Sequence, residues 1–270
     1  MERVLTHLAL IVAAVICAAP FFYVIAASLK DQGSLFHYPP VWVQIPPYTG
    51  NYERLLFDSG FPRWMLNTLF VASTVTGLKL VLDSMAAYAL AKLEFTGKRL
   101  IFLLMLILLM VPFAALLIPL WSIAHNLHIT NTYLALILPP LANPLGVFLM
   151  RQYISGAVPN ELIEAARVDG CHTLRVFWHV VLPAVRPAAA VLGLLTFMNT
   201  WNDFFWPLIV LTPHNPTVQV AVSTLAGAQY VPDYSLILTG TFISILPLLV
   251  VFLVLGKQIV GGIMKGAIKG

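Results

Sequence analysis

"ELIEAARVDGCHTLRVFWHVVLPAVRP", Glu161–Pro187, is the densest polar stretch of an otherwise greasy chain. It holds three acids, three arginines and two histidines, where the whole sequence is 60% hydrophobic and only 10% charged. Its punctuation is helical. Asn160 follows Pro159 and can cap a helix opening at Glu161. Glu161 and Glu164 stand in the first turn, where the helix dipole favours negative charge. Gly170 supplies a stop, because glycine takes the left-handed conformation without strain. Beyond it Leu174, Phe177, Trp178 and Val181 recur at helical spacing and predict one apolar face. Pro183 closes that helix and Pro187 opens the next apolar run. The stretch therefore reads as two short helices hinged at a glycine. Ala165 and Ala166 leave the backbone open to close approach by another protein. An apolar face with Trp178 equally suits a helix pair resting on lipid headgroups.

The flanking sequence says which solvent surrounds these helices. A soluble chain of 270 residues needs more charge on its surface than this one has. A mean hydropathy of +0.89 points to a bilayer. Six segments are long and apolar enough to span it: about 8–29, 66–91, 100–121, 132–151, 187–211 and 235–256. The first is long for a signal h-region and lacks an A-x-A site, so a retained span is expected. Pro20, Pro112, Pro119, Pro139, Pro140, Pro144, Pro207 and Pro247 fall inside spans, where they are tolerated as kinks if neighbours satisfy the freed carbonyls. With the N-terminus inside, eleven basic residues lie on the inner side: Arg3, Lys92, Lys98, Arg99, Arg151, Arg167, Arg175, Arg186, Lys257, Lys265 and Lys269. Only Lys30, Arg54 and Arg63 lie outside, so both termini are expected in the cytoplasm. The expectation is an all-α membrane protein, one domain over 1–270, with six transmembrane helices and a cytoplasmic loop at about 152–186 between the fourth and fifth spans.

Several functions are excluded or weakened. The net charge of +4 is scattered, without the stripe a nucleic acid requires. Cys17 and Cys171 are too few for a disulfide framework and read as free thiols. Neither Gly97-Lys98 nor Gly256-Lys257 continues as a phosphate-binding loop, so the chain has no ATPase site of its own. No catalytic constellation stands out. His125 and His128 have no acid near them, and no metal site is expected.

Polar residues inside spans are costly and mark candidate sites. Lys79 and Asp83 are four apart on one helix face, spaced for a structural ion pair, with a substrate role as the alternative. Near the end of the fifth span, Asn199, Trp201, Asn202, Asp203 and Trp206 mix aromatic faces with hydrogen-bonding groups. That mixture suits a sugar ring, and it also suits an aromatic belt at the membrane interface.

Glu164-Ala165-Ala166, three residues, Gly170, nine residues, then Val180-x-Leu182-Pro183 is a spaced pattern. It resembles the EAA loop of the membrane subunits of binding-protein-dependent ABC importers, which prefer isoleucine where Val180 stands. Asp169-Gly170, "WNDFFWPL" at Trp201–Leu208, "GNYERLLFDSGFPRWMLNTLFVAS" and the tail "VGGIMKGAIKG" are similar to the carbohydrate-importer branch, relatives of the maltose-transporter permeases. The resemblance implies a prokaryotic inner-membrane permease forming half of a translocation pathway. Its implied partners are a dimer of cytoplasmic ATPase subunits, which would bind ATP and Mg, a second, non-identical permease and an extracytoplasmic substrate-binding protein. Glu164 would anchor the loop in the ATPase and Gly170 would set the bend. Ala165 and Ala166 would allow close contact, and Asp169, Leu182 and Pro183 complete the motif. The tail from Gly261 to Gly270 would reach the same interface or hang free. The alternative class, a secondary transporter or channel working alone, is disfavoured by the few buried charges and the lack of an internal repeat.

Overall fold

The computed structural model describes residues 2–212, 214–227 and 232–267, with side chains reaching Gly256. Among the described residues every regular element is helical: α1 (Glu2–Ser28), α2 (Gln32–Leu35), α3 (Gly50–Phe57), α4 (Phe61–Lys92), α5 (Lys98–Leu109), α6 (Phe113–Asn126), α7 (Tyr133–Leu141), α8 (Leu145–Ala157), α9 (Asn160–Val168), α10 (Thr173–Val176), a π turn at Phe177–Val181, α11 (Leu182–Ala184), α12 (Arg186–Trp201), α13 (Phe205–Val210), α14 (Val218–Gly227) and α15 (Tyr234–Ala267). The expected tail interface falls on side chains outside the described residues.

α1, α4 and the Tyr234–Val254 part of α15 are each long and apolar enough to cross a bilayer. The remaining apolar segments are broken pairs. α5 and α6 meet at 105°, α7 and α8 at 42°, and the Thr173–Ala184 segment meets α12 at 82°. The breaks explain which prolines bend the chain. Pro112 stands at the entrance of α6 with ψ 133°. It cannot donate a backbone hydrogen bond and it disfavours helix at the residue before it. Pro144 marks the second break and Pro187 follows the third. Pro20, Pro119, Pro139, Pro140, Pro207 and Pro247 lie inside helices instead. The expected continuous helix over 187–211 is corrected: α12 stops at Trp201 and α13 begins at Phe205. Asn202 ends α12 by returning its amide to the Met198 carbonyl at 2.9 Å, and Asp203 receives the Trp206 N–H at 3.4 Å. Short polar side chains that bond nearby backbone compete with the helix and stop it.

The chain divides into two compact units. The first comprises residues 1–67 and 216–248. Hydrogen bonds hold much of it together. Asn51 donates to the carbonyls of Ser28 and Lys30, and Thr239 donates to Ser28. Gln32 donates to the Pro232 carbonyl, and Arg54 pairs with Asp233 at 2.8 Å. Burial pushes the Asp233 carboxyl up, but the Ser235 hydroxyl and the Arg54 guanidinium outweigh it and hold its pKa below the ordinary value. Asp31 is held low as well, by the Ser34 N–H and hydroxyl.

The second unit comprises residues 68–215 and 249–270. Its main apolar core joins Ala87, Tyr88 and Leu90 of α4 to Met150 and Ile154 of α8. The same core takes in Ile163 of α9, Phe177 and Val181 of the π turn, and Val185. A second apolar cluster joins Val71 and Val75 of α4 to Ala135–Ile137 of α7 and to Trp206 and Val210. Cys17 and Cys171 are both free thiols.

Candidate functional site: a seated helical segment and a cavity

The segment from Asn160 to Ala184 is the first candidate. α9 opens one residue earlier than expected. Pro159 holds the capping position, and no side chain caps the helix. Asn160 instead accepts a hydrogen bond from Lys92 Nζ at 2.8 Å, which ties the start of α9 to the end of α4. At the far end the Gly170 N–H donates to the Arg167 carbonyl (3.0 Å) and the Cys171 N–H to the Ala166 carbonyl (2.9 Å). Gly170 lies at φ +80°. This is the paired-bond ending that glycine allows. A Cβ on Gly170 would meet nothing within 4 Å, so the backbone angle and not crowding demands glycine there.

Ile163 is the buried residue of α9, and it enters the main core. Glu161, Glu164, Ala165, Arg167 and Asp169 are exposed, and Ala166 is half-buried against the core. The single apolar face expected from Leu174, Phe177, Trp178 and Val181 is corrected. Phe177 and Val181 are buried with Val176 and Val185, whereas Leu174 and Trp178 face out. A π turn, in which the Leu182 N–H bonds the Phe177 carbonyl five residues back, interrupts the α-helical register at this point. A wider turn rotates later side chains away from the 3.6-residue register. Pro183 lies exposed within α11, with Leu182 half-buried beside it. The segment is thus pinned by one apolar face while Glu164, Ala165, Val168 and Trp178 are left free on its surface.

The second candidate is a cavity of about 240 Å³. Along α12 its wall is one helical stripe of Leu192, Thr196, Asn199, Thr200 and, just beyond, Asp203; Lys79, Asn143 and Gly146 line it too. Lys79 Nζ lies 2.9 Å from Asp83 and donates to the Asn143 carbonyl at 2.6 Å. Both side chains of this pair are buried. Gly146 makes room for it, because a Cβ there would collide with the Asp83 carboxylate. Asp203, by contrast, has no cation paired with it among the described residues.

The structure separates the five polar and aromatic positions read from the sequence. Asn199 and Asp203 line the cavity. Trp201 is fully buried and stacks on Phe197 at 5.5 Å. Trp206 is buried in the second cluster, where its indole donates to the Ala135 carbonyl at 2.8 Å. Asn202 is exposed at the helix break. Sequence reading missed Thr196 and Thr200. Their i, i+4 spacing, continued by Asn199 and Asp203, is the signal that marks the stripe.

Long apolar helices, proline-broken helix pairs, a mostly apolar cavity with polar groups along one wall, and a firmly seated amphipathic segment fit a membrane transport subunit. Residues 83–259 match the family described as "Binding-protein-dependent transport system inner membrane component", and the chain belongs to it. It is a permease subunit of a binding-protein-dependent importer of the bacterial inner membrane. It is 33% identical, over 93% of its length and 90% of the relative's, to the arabinooligosaccharides transport system permease protein AraQ of Bacillus subtilis. The trehalose/maltose transport system permease protein MalG of Thermococcus litoralis is 32% identical, over 100% and 98% of the two chains. A chain from the crystal structure of a bacterial ABC transporter that imports the acidic polysaccharide alginate shares the fold. Its TM-score is 0.84, with 22% identity and 95% of each chain covered.

Proposed function

We propose that this chain forms half of the pathway of an ATP-driven sugar importer and that α9 is its coupling helix. In this reading the six spans are α1, α4, α5–α6, α7–α8, the run through α12, and α15, with both termini in the cytoplasm. The 11-to-3 division of basic residues supports that orientation. A separate pair of ATPase subunits holds ATP and Mg and grips Glu164, Ala165, Ala166, Asp169 and Gly170, with Leu182 and Pro183 closing the motif. A binding protein delivers substrate from outside, and a second, non-identical permease completes the pore. Sugar as cargo is supported by the relatives that move arabinooligosaccharides and trehalose or maltose. Asn199 and Asp203 would meet sugar hydroxyls directly, while Trp201, Asn202 and Trp206 would shape the wall that presents them.

The observation that carries this reading is the seating of α9. Ile163, Phe177 and Val181 lock the segment to α4 and α8 while Glu164 and Ala165 stay on the surface. A close-packed unit transmits displacement as a body, because interiors have low compressibility. A force applied at Glu164 therefore reaches the spans, and two discrete packings can be biased from outside the membrane. The test is Glu164→Ala in the reconstituted complex, with arabinotriose and maltose as trial cargoes. Membrane insertion and assembly of the two permeases should be unchanged, and sugar-stimulated ATP hydrolysis should fall with uptake. Unchanged uptake would sink the coupling role. Normal coupling with a non-sugar cargo alone would sink the sugar assignment.

A further inference from the structure

The stretch between α1 and α3 is built inside out. Residues 32–52 contain no Asp, Glu, Lys or Arg. Its polar contacts turn toward the end of α1. Lys30 Nζ donates to the Val41 carbonyl. The Asp31 N–H donates to Gln44 Oε1 at 3.0 Å, and Gln44 Nε2 returns a bond to Asp31 Oδ2 at 2.9 Å. The Tyr48 N–H donates to the Leu29 carbonyl at 2.9 Å. The large apolar side chains are left on the outside: Tyr38 is 89% exposed, Ile45 87% and Trp42 71%, with Val43 beside them. A loop facing water would turn its apolar groups in and its polar groups out, because burying apolar area is what stabilises a fold in water.

The same bonds fix the height of the loop. Val41, Gln44 and Tyr48 are each tied to one of Leu29, Lys30 and Asp31. Those three residues directly follow α1, an apolar helix long enough to cross a bilayer. Trp42, Val43 and Ile45 are each next in sequence to one of these tied residues, which keeps them beside the end of α1, where a membrane-crossing helix would leave the bilayer. At that depth tryptophan and tyrosine rings are favoured, since one end is apolar and the other wet.

We propose that the loop from Phe36 to Tyr48 is an interfacial membrane anchor, with Tyr38, Trp42 and Ile45 seated among the headgroups and upper acyl chains at the C-terminal end of α1. The anchor sets the height of that end of the helix and keeps the adjoining hydrogen-bonded cluster at the membrane surface.

The test uses the full importer, made cysteine-free and reconstituted in vesicles of phosphatidylethanolamine and phosphatidylglycerol. Nitroxide labels are placed singly through Trp42→Cys, Ile45→Cys and, as a reference at an exposed position, Asp58→Cys. Collisions with oxygen, which partitions into lipid, are compared with collisions with a water-soluble nickel chelate. Labels at 42 and 45 should gain oxygen collisions and lose nickel collisions relative to the label at 58. Nickel access at 42 and 45 equal to that at 58 would place the loop in water and overturn the anchor. Poor access to both reagents would mean that a protein covers the loop, and that also overturns it. The two positions are read independently, so one variant that fails to assemble leaves the other decisive.

Discussion

The segment that carries α9 and the cluster at the end of α1 solve one problem by different means. Each must hold a short, irregular piece of chain in a fixed place beside long helices. The α9 segment is held mainly by apolar side chains: Ile163, Phe177, Val181 and Val185 bury themselves against α4 and α8. The cluster after α1 is held mainly by polar contacts: Arg54 with Asp233, Asp31 with Gln44, Asn51 with two carbonyls. Apolar packing is not directional and does not titrate, so it suits a part that moves as one body, as the proposed coupling role requires. Hydrogen bonds and ion pairs are directional and pH-sensitive, so they set position well but loosen when their partners change charge.

The sharpest way to break the contrast is to remove a packing residue. Phe177→Ala should lower the stability of the complex by about 3–5 kcal/mol, as other buried phenylalanines do. Trp178→Ala, one residue later and half-exposed, gives up its edge contact with Phe177 and should cost only about 0.5–1.5 kcal/mol. Equal losses in thermal or denaturant unfolding would mean that Phe177 and Trp178 do not differ in packing as described above.

The Lys79–Asp83 pair is the intermediate case, polar contacts inside apolar surroundings. Lys79→Met leaves the Asp83 carboxylate buried without its partner and should cost about 3–5 kcal/mol. The double variant Lys79→Met with Asp83→Leu should recover most of that loss. Transport separates stability from function here. If the folded double variant still moves substrate normally, Lys79 is structural; if affinity falls, it also meets substrate in the cavity.

The smallest effect belongs to the polar cluster. Arg54→Ala removes a partly exposed ion pair and should cost about 0–1 kcal/mol. Acid provides the finer test. The carboxyls of Asp31 and Asp233 are both held below their ordinary pKa, so each contributes stability above the ordinary aspartate value and loses it as pH falls through the lowered native value. Below about pH 4, cleavage by an acid-active protease within residues 29–58 should rise, while cleavage within 160–184 should change little. Parallel acid sensitivity in both stretches would erase the distinction.

Much of this was legible before any coordinates. The capping glycine at 170 and the two-helix outline of the 160–184 segment follow from local backbone preferences, which one strand of sequence carries on its own. The long apolar runs behave likewise, because their length is matched to a bilayer and not to a neighbour. Proline positions were visible too, but their consequences were not. Pro112 and Pro144 coincide with breaks, whereas Pro20 and Pro247 lie inside continuous helices.

Composition, spacing and charge by themselves determined that the chain is a helical membrane protein with a spaced surface segment, since these depend on solvent and local geometry alone. Only the tertiary structure decided which side of each helix meets a neighbour. It turned Trp178 outward and buried Trp201 and Trp206 that sequence had offered to a ligand. It also gathered Lys79, Asn143, Thr196 and Asp203 from distant stretches onto one cavity wall. Contacts between residues far apart in the chain are settled by packing, and packing is a property of the whole fold.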